Sequence, residues 1–135
     1  MSVNPKNSAS IDTNVLLRLI LQDNDEMFCR AKDIVTKYEE VDVADQVVVE
    51  IVYVLSGHYK ISRSQICEVV HKIMLNRQIN MNRALFEQVL PLYSRHPAVS
   101  FVDCCLAVYA HLNKAEPLLT FDKKLARQVP HTKLI

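Results

Sequence analysis

Short extended stretches alternate with amphipathic helical runs along the whole chain, and this alternation limits the fold more than any other feature of the sequence. Residues 8–12, 41–44, 79–81, 117–121 and 132–135 read as strands. Between them, apolar side chains recur at helical spacing over 14–21, 26–38, 46–59, 62–76, 83–94, 101–113 and 123–129. Strands separated by helices favour a small parallel sheet covered by helices on both faces. Polar punctuation supports the boundaries. Asp23-Asn24-Asp25 caps the second helix, Asp45 the third and Asn82 the fifth, while Ser62-Arg63-Ser64-Gln65 has the spacing of a capping box. With 135 residues the chain is expected to form one domain, residues 1–135, with 1–7 as a frayed tail.

Composition removes several function classes. The chain has a single glycine, so Gly-rich phosphate loops of the P-loop or dinucleotide type are excluded on count. The four cysteines, Cys29, Cys67, Cys104 and Cys105, form no CxxC pair and lie in helix-like runs, which points to buried reduced thiols. The first seven residues are polar and resemble no signal peptide. No apolar run approaches the roughly 20 residues of a membrane span, so a cytoplasmic location without membrane contact is expected. Net charge is +1, but it is unevenly spread. Residues 1–45 carry five bases and nine acids, and residues 46–135 carry eleven bases and six acids. Metal neutralising three or four acids would leave a positive field suited to a polyanion.

Four carboxylates stand out. Asp12 and Asp122 each close a strand, where open α/β sheets bind ligands, although either could simply cap the following helix. Glu50 and Asp103 are each the only charge in a long apolar run. A carboxylate taken out of water costs several kcal/mol unless it is paired or bound to metal. Both are therefore expected in apolar surroundings, with a shared cation as the compensating charge. Such ligands, with no histidine nearby, suit Mg2+ or Mn2+ rather than zinc, and the chemistry of such a site is phosphodiester hydrolysis. Thr13, Asn14 and Thr120 could orient the ligands, and Asn14 could equally be a helix cap. Arg18, Lys123 and Lys124 could contact phosphates or be solvated surface charge.

These residues together resemble the PIN-domain ribonucleases, most of all the toxin component of VapBC-type toxin–antitoxin pairs. The resemblance spans residues 9–135. Its carriers are Ile11-Asp12-Thr13-Asn14-Val15-Leu16-Leu17-Arg18, Glu50 within Val48-Val49-Glu50-Ile51-Val52, Phe101-Val102-Asp103-Cys104-Cys105, and Leu119-Thr120-Phe121-Asp122-Lys123. It implies a three-layer α/β/α sandwich with a small parallel sheet and an acidic pocket for Mg2+ or Mn2+. Endonucleolytic cleavage of tRNA, rRNA or mRNA would then halt translation. It further implies a homodimer restrained by a cognate antitoxin protein. Asp12, Glu50, Asp103 and Asp122 match the family's acidic positions, Thr120 its hydroxyl position, and Asn14 the amide supporting the first aspartate. One departure is visible: the family's Gly shortly before the third acid is absent from His96-Pro97-Ala98-Val99-Ser100, which bears on loop shape and substrate fit. Three other readings compete. A non-catalytic PIN-like binding module would bind without cutting. A stand-alone RNA-processing nuclease would have no antitoxin. An aspartyl phosphotransferase would need an Asp where Asn14 stands.

Overall fold

A computed structural model describes residues 7–135, so residues 1–6 of the expected tail lie outside the described part. Asn7 is tied to the fold: its side-chain amide donates to Lys37 O (2.8 Å) and its carbonyl accepts from the Glu39 N–H (2.8 Å). The chain forms two compact units. One comprises residues up to 60 together with 68–81, the other residues 61–67 together with 82–135.

The first unit holds β1 (Ser8–Ser10), α1 (Thr13–Leu21), α2 (Asp25–Val35), β2 (Glu40–Asp42), α3 (Asp45–Gly57), most of α4 (Arg63–Leu75) and β3 (Ile79–Asn80). Its three strands are parallel in the order β1-β2-β3, with Ser10 beside Asp42 and Asp42 beside Asn80. Parallel neighbours need a crossover, and a helix pair supplies each one. On α3, Val48, Ile51, Val52 and Leu55 are buried at the spacing of one helical face. Fully burying each such side chain contributes about 1.5–3 kcal/mol. Gln46, Glu50, Tyr53 and Gly57 form the exposed face. Helix α2 buries no residue, and its ends are held by polar bonds instead. Asn24 Oδ1 accepts from Met27 N–H (3.0 Å), and Gln78 Nε2 donates to the carbonyls of Val35 (2.9 Å) and Tyr38 (3.0 Å). The helix stops at Val35 rather than running to residue 38; there the backbone tightens, with Tyr38 N–H bonding Val35 O (3.1 Å), and Gln78 holds this turn from outside.

The second unit holds the first turn of α4, α5 (Arg83–Arg95), α6 (Phe101–Leu112), β4 (Leu118–Thr120), α7 (Lys123–Gln128) and β5 (Thr132–Leu134). Strands β4 and β5 pair in parallel across α7. The core here is aromatic: Phe86, Tyr93 and Phe101 are almost fully buried. The Phe86 and Phe101 rings stack at 6.1 Å, and Tyr93 meets Phe101 edge-on at 5.2 Å. Helix α5 continues through Pro91, which costs the carbonyl of Glu87 its helical partner. Both residues are exposed, so water can take that carbonyl.

The parallel α/β pattern is as expected, but its strands pair as two ladders, one in each unit. Among the described residues there are seven helices, none long and apolar enough to cross a membrane. The expected capping box forms: Ser62 N–H bonds Gln65 Oε1 (3.3 Å), and Gln65 N–H bonds Ser62 Oγ (3.2 Å). Asp45 is not the cap of α3. Ala44 holds that position without a side-chain bond, and Asp45 lies in the first turn, where the helix dipole favours a carboxylate. The cysteine expectation also needs correcting. Cys104 and Cys105 are buried and Cys67 half-buried, but Cys29 lies exposed on α2, the helix with no buried side.

Candidate active site

In the first unit, β1 ends at Ser10 and the chain turns at Asp12. Asp12 is the N-cap of α1, its Oδ1 accepting from Val15 N–H at 3.0 Å. That bond uses one of about four lone-pair positions on the carboxylate. One residue on, the Thr13 hydroxyl donates to Glu50 Oε2 at 2.5 Å. A residue on α1 thus holds the Glu50 carboxylate beside the start of that helix, 37 positions away in sequence. Asn14 is not the cap; its side-chain oxygen accepts from Arg18 Nε (3.4 Å). Arg18 in turn pairs with Asp23 (2.7 Å), so its charge is already engaged on the protein.

The surroundings of Glu50 differ from the expectation. It is exposed, and among the described residues no charged or polar side chain counts as buried. The apolar run around it is split by the helical period: the core face takes Val48, Ile51, Val52 and Leu55, and Glu50 falls on the other side with Tyr53, which is 77% exposed. Desolvation therefore does not mark Glu50. Its bond to Thr13 does.

Next to Asp12, a cavity of about 630 Å³ runs between β1, α1 and α2. Its lining joins Asp12, Asn14 and Arg18 at one part to Met27, Ile34 and Tyr38 at another. At the carboxyl edge of the same sheet, Asn80 Nδ2 donates to Asp42 Oδ1 at 3.0 Å. The sequence reading passed over Asp42. Its signal in the sequence is an acid inside the second strand candidate, residues 41–44.

In the second unit, Asp103 is half-buried in the first turn of α6. Its N–H is held by the N-cap Ser100 Oγ at 3.1 Å, so it stands at a helix N-terminus, where the helix dipole favours a carboxylate. At the end of β4 the Thr120 hydroxyl accepts from Asp122 N–H (2.9 Å). Asp122 Oδ1 accepts from Lys124 N–H (2.9 Å) and Leu125 N–H (3.1 Å) and so caps α7. Thr120 thereby fixes the turn that presents Asp122. Lys123 and Lys124 are exposed beside it. The nearby thiol of Cys104 is pushed up to about 11, mainly by burial, with the Arg63 charge opposing and the Asp103 charge adding. A thiol held protonated at neutral pH makes a poor nucleophile.

Asp12 and Glu50 in one unit, and Asp103 and Asp122 in the other, offer only hard oxygen donors, the chemistry that Mg2+ and Mn2+ prefer. In neither unit do three or more His, Cys, Asp or Glu side chains gather as a metal-holding group among the described residues.

The sequence matches the PIN domain over residues 9–129, and the chain belongs to that family. A curated relative is similar across almost the same span. It is the VapC ribonuclease of Aquifex aeolicus (strain VF5), 26% identical over 121 residues, covering 87% of this chain and 89% of the relative.

Proposed function

We propose that this protein is a divalent-metal-dependent endoribonuclease and the toxin of a type II toxin–antitoxin pair. The observation that carries the reading is the Thr13–Glu50 bond beside Asp12 at the end of β1. It ties Glu50 to the residue that follows Asp12, in a PIN-family chain similar to a protein named a ribonuclease. In this reading Asp12 in the first unit, and Asp103 and Asp122 in the second, are candidate ligands that would hold Mg2+ or Mn2+. Such an ion would supply Lewis acidity toward the phosphate and would ease deprotonation of the attacking water at neutral pH. Glu50, oriented by Thr13, receives the proton of the attacking water. Thr120 fixes the turn that aims Asp122. Lys123 and Lys124, exposed beside Asp122, contact phosphates of the substrate. Arg18 does so only if it gives up Asp23. The RNA is the substrate, a cognate antitoxin protein restrains the enzyme, the toxin works as a homodimer, and the site of action is the cytoplasm.

Expression in a bacterial host without the partner tests this. Wild-type protein should stop incorporation of labelled amino acid and leave cut RNA, and Asp103→Asn should do neither. Soluble wild-type protein that leaves translation and RNA intact would contradict the toxin reading.

One observation favours a second reading, a non-catalytic PIN-like binding module. No group of three metal-holding side chains is gathered in either unit among the described residues. A module of that kind would bind RNA equally well in EDTA and leave it whole.

A further inference from the structure

Arg63 follows the cap Ser62 at the start of α4, yet its guanidinium is bound to a different part of the second unit. Nη2 donates to three backbone carbonyls: Tyr93 O at 2.8 Å, His96 O at 3.0 Å and Val99 O at 2.7 Å. Nε adds a bond to Tyr93 O at 3.2 Å. The guanidinium carbon lies 3.6 Å from the centroid of the Tyr93 ring. Tyr93 in turn packs edge-on against Phe101, the first residue of α6.

The carbonyls belong to the end of α5 and to the loop that leads into α6. A helix end leaves carbonyls without partners, and a cation is favoured there. A loop turning sharply after a helix commonly uses a glycine at positive φ. Here the loop is His96-Pro97-Ala98-Val99-Ser100, without glycine. The residues at positive φ among those described are Gln22, Lys60, Lys114 and His131, none of them in this loop. The loop turns with ordinary backbone angles, and two of its carbonyls, with that of Tyr93 in α5, converge on one planar fork. Lysine could not reproduce that geometry, because its ammonium lacks the fork and the flat face that stacks on Tyr93.

We propose that Arg63 is a positioning residue for Asp103. It fixes the path from the end of α5 through Val99 to the cap Ser100, and Ser100 holds the N–H of Asp103. Arg63 thereby sets where the first turn of α6 presents that carboxylate. This rests on the reading of Asp103 as a metal ligand. Arg63 itself touches neither metal nor RNA.

The test uses the full chain, with Arg63→Lys, Arg63→Gln and Asp103→Asn beside the unaltered protein and Mn2+ alone as the probe. Titration calorimetry gives Mn2+ affinity, and hydrogen exchange of the amides of residues 100–103 is followed in metal-free protein. The proposal expects folded Arg63 variants with Mn2+ affinity lowered about ten- to a hundredfold, the range found when support behind a ligand is removed. Exchange at those four amides should rise in the same variants. A residue that only stabilised the fold would lower the melting temperature and leave the affinity of the folded protein unmoved. Folded Arg63 variants with full Mn2+ affinity, beside an Asp103→Asn that has lost it, overturn the role of Arg63 alone. An Asp103→Asn protein that binds Mn2+ like the unaltered chain overturns the reading of Asp103 first, and this proposal with it. If neither Arg63 variant folds at any temperature, Arg63 is a folding residue and the positioning role is overturned.

Discussion

Thr13 is a small residue with a large consequence. Its hydroxyl is the link between the helix that begins at Asp12 and the carboxylate of Glu50. Thr13→Val keeps the shape and the side-chain packing but removes the donor. RNA cleavage is expected to fall about ten- to a hundredfold, as for other orienting groups, with little change in melting temperature. Steady-state rates on a short RNA, beside a thermal melt, check this. Cys104 makes the opposite case. Its thiol is pushed up to about 11 by burial, so Cys104→Ser should leave cleavage intact. The same shift has a signed effect on stability. The unfolded chain loses this proton near pH 8.5, the folded one at about 11. The contribution is therefore fully present below pH 8.5 and is lost as pH rises toward 11. Burial likewise raises the Tyr93 hydroxyl, which steepens the upper part of that fall. Melts across pH 8–11 should show the decline, and Cys104→Ser should make it shallower.

Much of the candidate site was legible at this scale, because Asp12 and Asp122 follow strands and the hydroxyls stand next to them. Glu50 was found for a reason that did not hold: its run is apolar, but the helical period turns it outward. Arg63 was passed over because three backbone carbonyls leave no trace in the residue pattern.

Among the elements, α2 depends most on its ends. None of its residues is fully buried and only Phe28, Ala31 and Val35 are half-buried, so packing gives it less than it gives α3 and its cap counts for more. Asn24→Ala should destabilise it by about 1 kcal/mol. Hydrogen exchange in the first turn of α2 should rise while that in α3, with its buried face, stays as it was. Exchange that is equal in both helices would show that α2 is held by something other than its cap. Local signals gave most element starts correctly, since caps such as Asn24, Ser62 and Asn82 act on their own helix. Ends were harder to see. The turn after Val35 is held in part by Gln78, which is 43 positions away. No local pattern carries such information.

For the molecule as a whole, strand–helix alternation predicted parallel pairing, because parallel neighbours require crossovers. It did not predict how the strands would divide between two ladders. That division depends on tertiary packing within each unit, which periodicity does not encode. The uneven charge is also a property of this scale: the chain is acidic before residue 46 and basic after it. An ion held by the acids, with phosphates near Lys123 and Lys124, would make use of both halves.

The proposal that unites these scales is that the carboxylates hold a divalent ion and the protein uses it to cut RNA. The direct measurement is incubation of purified, partner-free protein with end-labelled tRNA and total RNA, in Mg2+, in Mn2+ and in EDTA. The account predicts discrete cuts with either metal, none in EDTA, and none from folded Asp12→Asn under any condition. Cleavage that persists in EDTA or in the variant, or intact RNA with folded wild-type protein in both metals, would contradict it.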